Sequence, residues 1–321
     1  MTPGERPDLS QVNPLRITDP YAVSGRYRKA QLHCHTTNSD GTYSPRQLVE
    51  RYRTAGYAFV VFTDHGRVTA CDDLNDGAFL ALPGVETAIG RPFGPLGPHL
   101  GRLGAPGPVH VRGAQACIDA TVAAGGVVSL HHPGWTGNLW TGGWPVAEMA
   151  RLRGYHLIEV SNHHSHSPAD VKRWAEVLAR RGAQAPVGAV AVDDLHRDRD
   201  FDTGWVMVKT EAVTAEEFLR ALRGLAVYAS TGPSAEFGVR DGAIRCATDA
   251  VRVRFIDGRG AIRHEHGGPE AAYEPRGDEG FVRVECAGRA GGTAWSQAFW
   301  VSGPPGPPGL RPPEDRGIIS P

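Results

Sequence analysis

The chain has little of what marks a protein as secreted, membrane-bound or polyanion-binding. Its cysteines number five, an odd count, and none forms a C-x-x-C pair. That argues against a disulfide framework or a thiolate zinc knuckle and fits a reducing compartment. The formal net charge is −1 over 321 residues. No overall basic field therefore draws nucleic acid, and any phosphate-bearing partner must be held by a local site. No apolar run approaches the roughly 20 residues that cross a bilayer. The N-terminal Met-Thr-Pro-Gly-Glu-Arg-Pro-Asp carries no apolar core of a secretory leader. A cytoplasmic protein with no membrane partner and no stable nucleic-acid complex is the expectation.

What the chain does have is histidine. Fourteen are present, and only His264 and His266 fall outside the stretch from His33 to His196. Neutral imidazole is the commonest metal ligand and the usual proton shuttle near neutral pH, so this clustering points to a site. The most informative run is Gln-Leu-His33-Cys34-His35-Thr-Thr-Asn-Ser-Asp40-Gly. Alternate residues of a strand share a side. His33 and His35 can thus present two imidazoles to one ion while Cys34 faces the wall, and Asp40 can add an oxygen from its turn.

Around this run, short apolar segments alternate with helical ones. Residues 1–27 read as an extended N-terminal arm. Ser44 is a good N-cap with Pro45 at the first helical position, and Gly56 is a stop. The run Ala58-Phe-Val-Val-Phe-Thr is a strand buried on both faces. Further strands are expected at 79–86, 127–130, 156–160 and 187–192, with helices at 114–124 and 168–181 and a β/α pair over 205–222. This order implies a mostly parallel sheet, and about seven strands favour a closed barrel over 28–233. The Gly- and Pro-rich segment from Ile89 to Gly113 reads as a long loop over the barrel mouth. Beyond Pro233 the period becomes two, giving a small antiparallel β-sandwich over 234–303. The Pro/Gly-rich tail 304–321 reads as disordered.

Each apolar strand of the first region ends in potential ligands. They are His33, His35 and Asp40, then Asp64 and His65, Glu86, His99, His131 and His132, Glu159 and Asn162, and Asp193, Asp194 and His196. In a β/α barrel these ends converge on one face, where active sites lie. His131 is expected to face the other side of its strand. Asp64 and Asp193 are expected to orient ligands, and His163, His164 and His166 to form a solvated loop. Glu159 and Asn162 are candidates for substrate contact or ligand orientation. Arg67, Arg197 and Lys209 are candidate phosphate binders. Trp135, Trp140 and Trp144 could form an aromatic lid, with ordinary packing the alternative.

The motifs Leu-His33-Cys-His35-Thr-Thr-Asn-Ser-Asp40-Gly, Phe-Thr-Asp64-His65, Gly-Val-Glu86, His132-Pro-Gly, Asp194-Leu-His196 and Tyr228-Ala-Ser-Thr-Gly-Pro, in this order, resemble the polymerase-and-histidinol-phosphatase (PHP) family over about residues 20–233. The resemblance implies a distorted seven-stranded (β/α) barrel with two or three divalent ions. His33, His35, Glu86 and Asp194 would hold the first ion, and Glu86 would bridge to a second on His99 and His132. Asp40, His65 and His196 would hold a third. His110 is a rival to His99. Glu86, Asp194 and His196 are expected to be catalytic as well as ligating. A donor set of imidazoles and carboxylates suits zinc, manganese or iron.

The leading expectation is cleavage of a small-molecule phosphomonoester or phosphodiester by a metal-bridging hydroxide. Carbamate, ester or amide hydrolysis at the same cluster is the alternative, since Leu130-His-His-Pro-Gly-Trp and Ile158-Glu-Val-Ser-Asn resemble a carbaryl-hydrolase-like branch. A non-catalytic, metal-stabilised binding module is the third reading.

Overall fold

A computed structural model of the chain describes residues 15–90, 97–108, 110–136, 143–165 and 167–303. The tail 304–321, most of the N-terminal arm, Trp140 and His166 lie outside the described residues.

Local signals explain the first elements. Strands β1 (Arg16–Ile17) and β2 (Arg26–Gln31) lead to helix α1 (Pro45–Thr54). At its start Gln47 N donates to Ser44 Oγ at 3.4 Å, and Ser44 N donates back to Gln47 Oε1 at 3.0 Å. A cap of this kind contributes about 1 kcal/mol. The helix buries Leu48, Val49 and Tyr52. Strand β3 (Tyr57–Phe62) is buried on both faces, as its unbroken apolar run requires. Phe59 and Val61 face an inner core, while Val60 and Phe62 pack with the α1 side chains.

The chain continues through β4 (Leu80–Ala88), β5 (His99–Leu103), α2 (Ala114–Ala123), β6 (Val127–Leu130), α3 (Val146–Arg151), β7 (Leu157–Asn162), α4 (Ser167–Arg181) and β8 (Gly188–Val192). Then follow β9 (Trp205–Thr210), α5 (Ala215–Arg223) and β10 (Val227–Ser230). The last part is all strand: β11 (Ala235–Arg240), β12 (Ala243–Thr248), β13 (Arg252–Asp257), β14 (Ile262–His266), β15 (Glu270–Tyr273), β16 (Phe281–Ala287), β17 (Thr293–Trp295) and β18 (Phe299–Ser302).

The architecture is mixed α/β around one large sheet of fifteen strands, ordered β1-β18-β16-β17-β10-β9-β2-β3-β4-β5-β6-β7-β8, with β13 and β14 branching from β16. β2, β3 and β4 pair in parallel, as do β6, β7 and β8. Beyond β2 and β8 the chain ends meet at a parallel bridge, Cys34 to Leu195, where His35 N donates to Leu195 O at 3.0 Å. Alternate residues of these strands (Ala30, Leu82, Val190, Val206 and others) share the inner core with Phe218 and Leu222 of α5.

Two expectations change. The segment read as a loop contains β5, buried along its whole length and antiparallel to both β4 and β6. Only the ten residues 89–98 separate β4 from β5, fewer than the dozen or more that a parallel crossover needs. β9 is likewise antiparallel to β2, and β10 to β9. The C-terminal strands divide between two sheets. β11, β12 and β15 make a separate sheet, and Phe237, Ile244, Val253, Phe255, Val282 and Val284 lie in one core. The strands of the larger sheet are not detached, because β17 pairs with β10 through Ala229–Trp295 and Ser230–Ala294. No helix among the described residues is long and apolar enough to cross a membrane.

Candidate metal centre

Strand direction brings the ligand candidates together. His33 and His35 follow β2, His65 follows β3, His132 follows β6 and Asp194 follows β8, all at the C-terminal ends of parallel strands. His99 opens β5 instead of closing it. Because β5 runs antiparallel, its first residue reaches the same end of the sheet, paired with Ala88.

The Glu86 carboxylate is the centre of the cluster. Its Oε1 lies 2.9 Å from His99 Nδ1, 2.9 Å from His131 Nδ1, 3.2 Å from His132 Nε2 and 3.3 Å from His33 Nε2. Its Oε2 lies 3.1 Å from His65 Nδ1 and 3.4 Å from His35 Nε2. Asp194 Oδ1 is 3.1 Å from His33 Nε2 and 3.3 Å from His35 Nε2. A more exposed set surrounds Asp40, whose Oδ2 is 3.5 Å from both His65 Nε2 and His196 Nε2. His35 belongs to both sets, since its Nδ1 is 3.5 Å from Asp40 Oδ1. His110 is exposed and in none of these groups, whereas His99 lies in one with His65 and Glu86.

These residues fit a cation. Donor atoms about 2.0–2.2 Å from one ion stand roughly 3.0–3.5 Å from each other, which is the spacing observed among His33, His35 and Asp194. His35 Nδ1 and His99 Nε2 are buried with no hydrogen-bond partner. The charges also call for positive compensation. Burial opposes the charge of His33, yet Asp194, Glu86 and Glu159 raise its pKa well above the ordinary value. Burial acts to raise Glu86 and Asp194, yet the surrounding histidines hold both well below the carboxylate range. His35 is pushed down to about 4, chiefly by burial, and is therefore a neutral donor.

An under-layer fixes the donors. Glu159 Oε1 lies 2.8 Å from His33 Nδ1, and its Oε2 accepts from His132 N at 2.6 Å and Asn162 Nδ2 at 2.9 Å. Asn162 also donates to Asp194 Oδ2 at 3.2 Å. Both residues are buried and hydrogen-bonded to ligand candidates. Asp64 accepts from Thr36 N at 2.7 Å and Ser39 Oγ at 2.6 Å, holding the loop that carries Asp40. Asp193 accepts from Thr203 N at 2.8 Å, Tyr52 Oη at 2.9 Å and Asp202 N at 3.0 Å. His196 Nδ1 lies 2.8 Å from Asp194 O, which leaves Nε2 for Asp40. Two of the ligand candidates have positive φ, His132 at 27° and Asp194 at 51°. Such backbone is costly outside glycine and tends to gather at functional sites.

Several contacts were not foreseen. His131 does not face away: it touches Glu86 and stacks on His33 with ring centroids 3.7 Å apart. The turn at His132 lets both neighbours reach the cluster. Gly101 makes room for it, since a Cβ there would come within 2.0 Å of His131 Nε2. Gln31 Oε1 accepts from His33 N at 3.1 Å and Asp193 N at 3.3 Å, linking the β2 and β8 ends. The patterns of β2 (Arg-Tyr-Arg-Lys-Ala-Gln) and β5 (His-Leu-Gly-Arg-Leu) carry no signal for either role.

The cluster opens into a cleft of about 780 Å³, lined by His65, Arg67, Trp135, His164, Arg197 and Arg199 among others. Arg67 and Arg197 therefore stand where expected. Arg199 joins them, and His164 is half-buried rather than solvated. Lys209 does not reach the cleft. Its Nζ donates to Tyr21 O at 2.9 Å in a separate groove. Trp135 packs on His132, with ring centroids 4.9 Å apart. Trp144 is core, and its Nε1 donates to His99 O at 3.0 Å.

No family model matches the sequence, and no curated protein matches it. Among solved structures, the chain is similar to an amidohydrolase from Chromobacterium violaceum with bound sulfate and no metal, at 18% identity and a TM-score of 0.38 over 53% of this chain and 89% of that one. It is also similar to a two-domain protein from Bacteroides vulgatus containing a predicted PHP-like metal-dependent phosphoesterase, at 16% identity and a TM-score of 0.51. That likeness covers 91% of this chain and 100% of the other, so it takes in the ligand cluster and the C-terminal strands together. The chain has the fold of that PHP-like two-domain protein.

Proposed function

We propose that the protein is a multinuclear metal-dependent hydrolase that cleaves a phosphomonoester or phosphodiester bond of a small molecule. One observation carries this reading: both oxygens of the buried Glu86 face imidazoles, in a cluster of His33, His35, Asp40, His65, His99, His132, Asp194 and His196 that opens into an arginine-lined cleft. On this reading these nine residues hold up to three ions of zinc, manganese or iron. β2 to β8 act as a distorted seven-stranded barrel over 28–233, and 234–303 is an appended sandwich. The partner is a soluble phosphoester and not a nucleic acid.

Divalent ions on such a set supply Lewis-acid polarisation and acidify water. The chain's own groups do the rest. Arg67, Arg197 and Arg199 line the cleft and offer guanidinium donors to phosphoryl oxygens. Trp135 offers an aromatic wall for a ring or base. Glu159 keeps His33 in the tautomer that frees Nε2, and Asp194 O does the same for His196. The arginines favour phosphate over a neutral carbonyl substrate.

The test is metal analysis of the purified protein, followed by phosphate release from a panel of phosphomonoesters, phosphodiesters and nucleotides with manganese or zinc present. Absence of phosphate release with turnover of aryl carbamates or esters would move the assignment to carbonyl hydrolysis. A stable, metal-free and inactive protein would leave only a binding module.

A further inference from the structure

A second large concavity lies away from the metal centre, between α4 and the face of β16 and β17. Its volume is about 790 Å³, within the range of small-molecule sites. Strand geometry sets its floor. Arg283 and Glu285 stand two residues apart on β16 and so share a face, and Glu285 is paired directly with Trp295 of β17. Val171, Lys172, Ala175 and Glu176 of α4 form the opposite wall. Trp295 lies in the same apolar core as Val171 and Trp174.

Arg283 is the informative residue. It is only 8% exposed, and its Nη1 donates to Glu285 Oε1. Its Nε is buried and has no hydrogen-bond partner. A buried guanidinium N–H without an acceptor is costly, and the fork of Arg matches a two-oxygen anion. Beside it the groove offers apolar surface from Val171, Ala175 and Trp295. Its charges are three cations (Lys172, Arg259, Arg283) against two carboxylates (Glu176, Glu285). Arg259 is also paired with Asp257 and Asp278, each 3.5 Å away, which leaves the planar Arg283 fork as the group that selects a two-oxygen anion.

We propose that this groove binds a small organic monocarboxylate, with its oxygens on the free edge of Arg283 and its apolar body against Trp295 and α4. Neither the metal centre nor the cleft arginines take part, so the site is separate from the proposed hydrolysis.

The test uses the metal-loaded protein, with benzoate, phenylacetate and L-phenylalanine as probes and inorganic phosphate in parallel. Calorimetry reads affinity, and hydrogen exchange locates the site. The expected result is saturable binding of at least one carboxylate, with exchange slowed over 171–179 and 283–295; phosphate should leave those segments unchanged. Two variants should each weaken that binding by roughly tenfold or more. One is Arg283→Gln combined with Glu285→Gln, which leaves neither partner buried alone. The other is Ala175→Trp, which fills the groove from α4 without touching a charge. No slowing by any probe at millimolar concentration overturns the proposal. So does binding that survives both variants, and equal protection by phosphate overturns the carboxylate class.

Discussion

The ligand cluster divides into two halves that the fold treats differently. In the inner half the side chains of His33 and His35 are fully buried, Glu86 is 1% exposed and Asp194 is 7% exposed. In the outer half Asp40 is 52% exposed, His65 32% and His196 24%. The inner donors rest on Glu159, Asn162 and Gln31. The outer ones depend on a loop pinned by Asp64 and on His196, whose ring meets Asp194 O and whose backbone N donates to Asp200 Oδ2. Burial makes the inner half a set of donors that water cannot reach, so on the proposed function a cation there would be held as part of the folded structure. The outer half can be satisfied by solvent, so an ion there should exchange.

The largest effect should come from erasing the residue the halves share. Glu86→Gln keeps the shape of the side chain but removes the charge facing His33, His35, His65, His99 and His132. We expect loss of more than one ion per chain, and hydrolysis lowered by at least ~10³-fold. Mass-spectrometric metal counting with phosphate-release kinetics checks both, and full metal retention would refute the central role of Glu86. Next come the halves taken separately. His33→Ala should empty the inner site and also lower thermal stability, while Asp40→Ala should deplete only the outer ion and leave the melting temperature nearly unchanged. Equal stoichiometry or equal destabilisation in the two variants would break the distinction.

A smaller effect tests the under-layer. Glu159→Gln removes no ligand but weakens the hold on His33 and His132. Changes of this kind typically cost roughly 10–100-fold in metal affinity. Chelator competition should show the inner ion released more readily and the outer one unaffected. Release of the outer ion first would mean that Glu159 does not serve the inner half specifically.

How far the sequence reveals this arrangement depends on strand direction. Residues closing parallel strands were legible, because an apolar run followed by His or Asp states both the strand and its end. His65 and Asp194 follow that rule, after β3 and β8. Lys209 broke it: it lies near the C-terminal end of β9, but β9 is antiparallel, and its end pairs with the start of β2 at Arg26. That places it at the far side of the sheet from the cluster. β5 was hidden because glycines and prolines flank a five-residue strand, and its burial comes from neighbours and not from its own pattern. His131 was misplaced by alternation, which fails where the backbone turns to positive φ at His132. Arg199 lies on a short 3₁₀ turn after the ligand strand, where sequence spacing says little about direction.

The smallest expected effect sets the inner half against a half-buried imidazole, His156, held by a backbone N–H. His156 precedes β7, whose other end carries Glu159 and Asn162. Its Nδ1 accepts a hydrogen bond from Val128 N at 3.2 Å. Burial, with Arg223 adding to it, pushes its pKa down to about 4, whereas the carboxylates of the cluster push His33 up. The sign follows from proton counting. In the unfolded chain His156 titrates near its ordinary value of about 6.5, so between there and about 4 the unfolded state holds the extra proton. Its contribution to stability is complete above the unfolded value and is lost as pH falls through that window, by at most ~1.4 kcal/mol per pH unit. His156→Gln keeps an acceptor for Val128 N but cannot titrate. Urea unfolding of both proteins at pH 7 and pH 5 should therefore show the wild type losing more stability than the variant on acidification. A difference of zero would mean that His156 is already solvated, and that burial alone does not separate the two ends of β7.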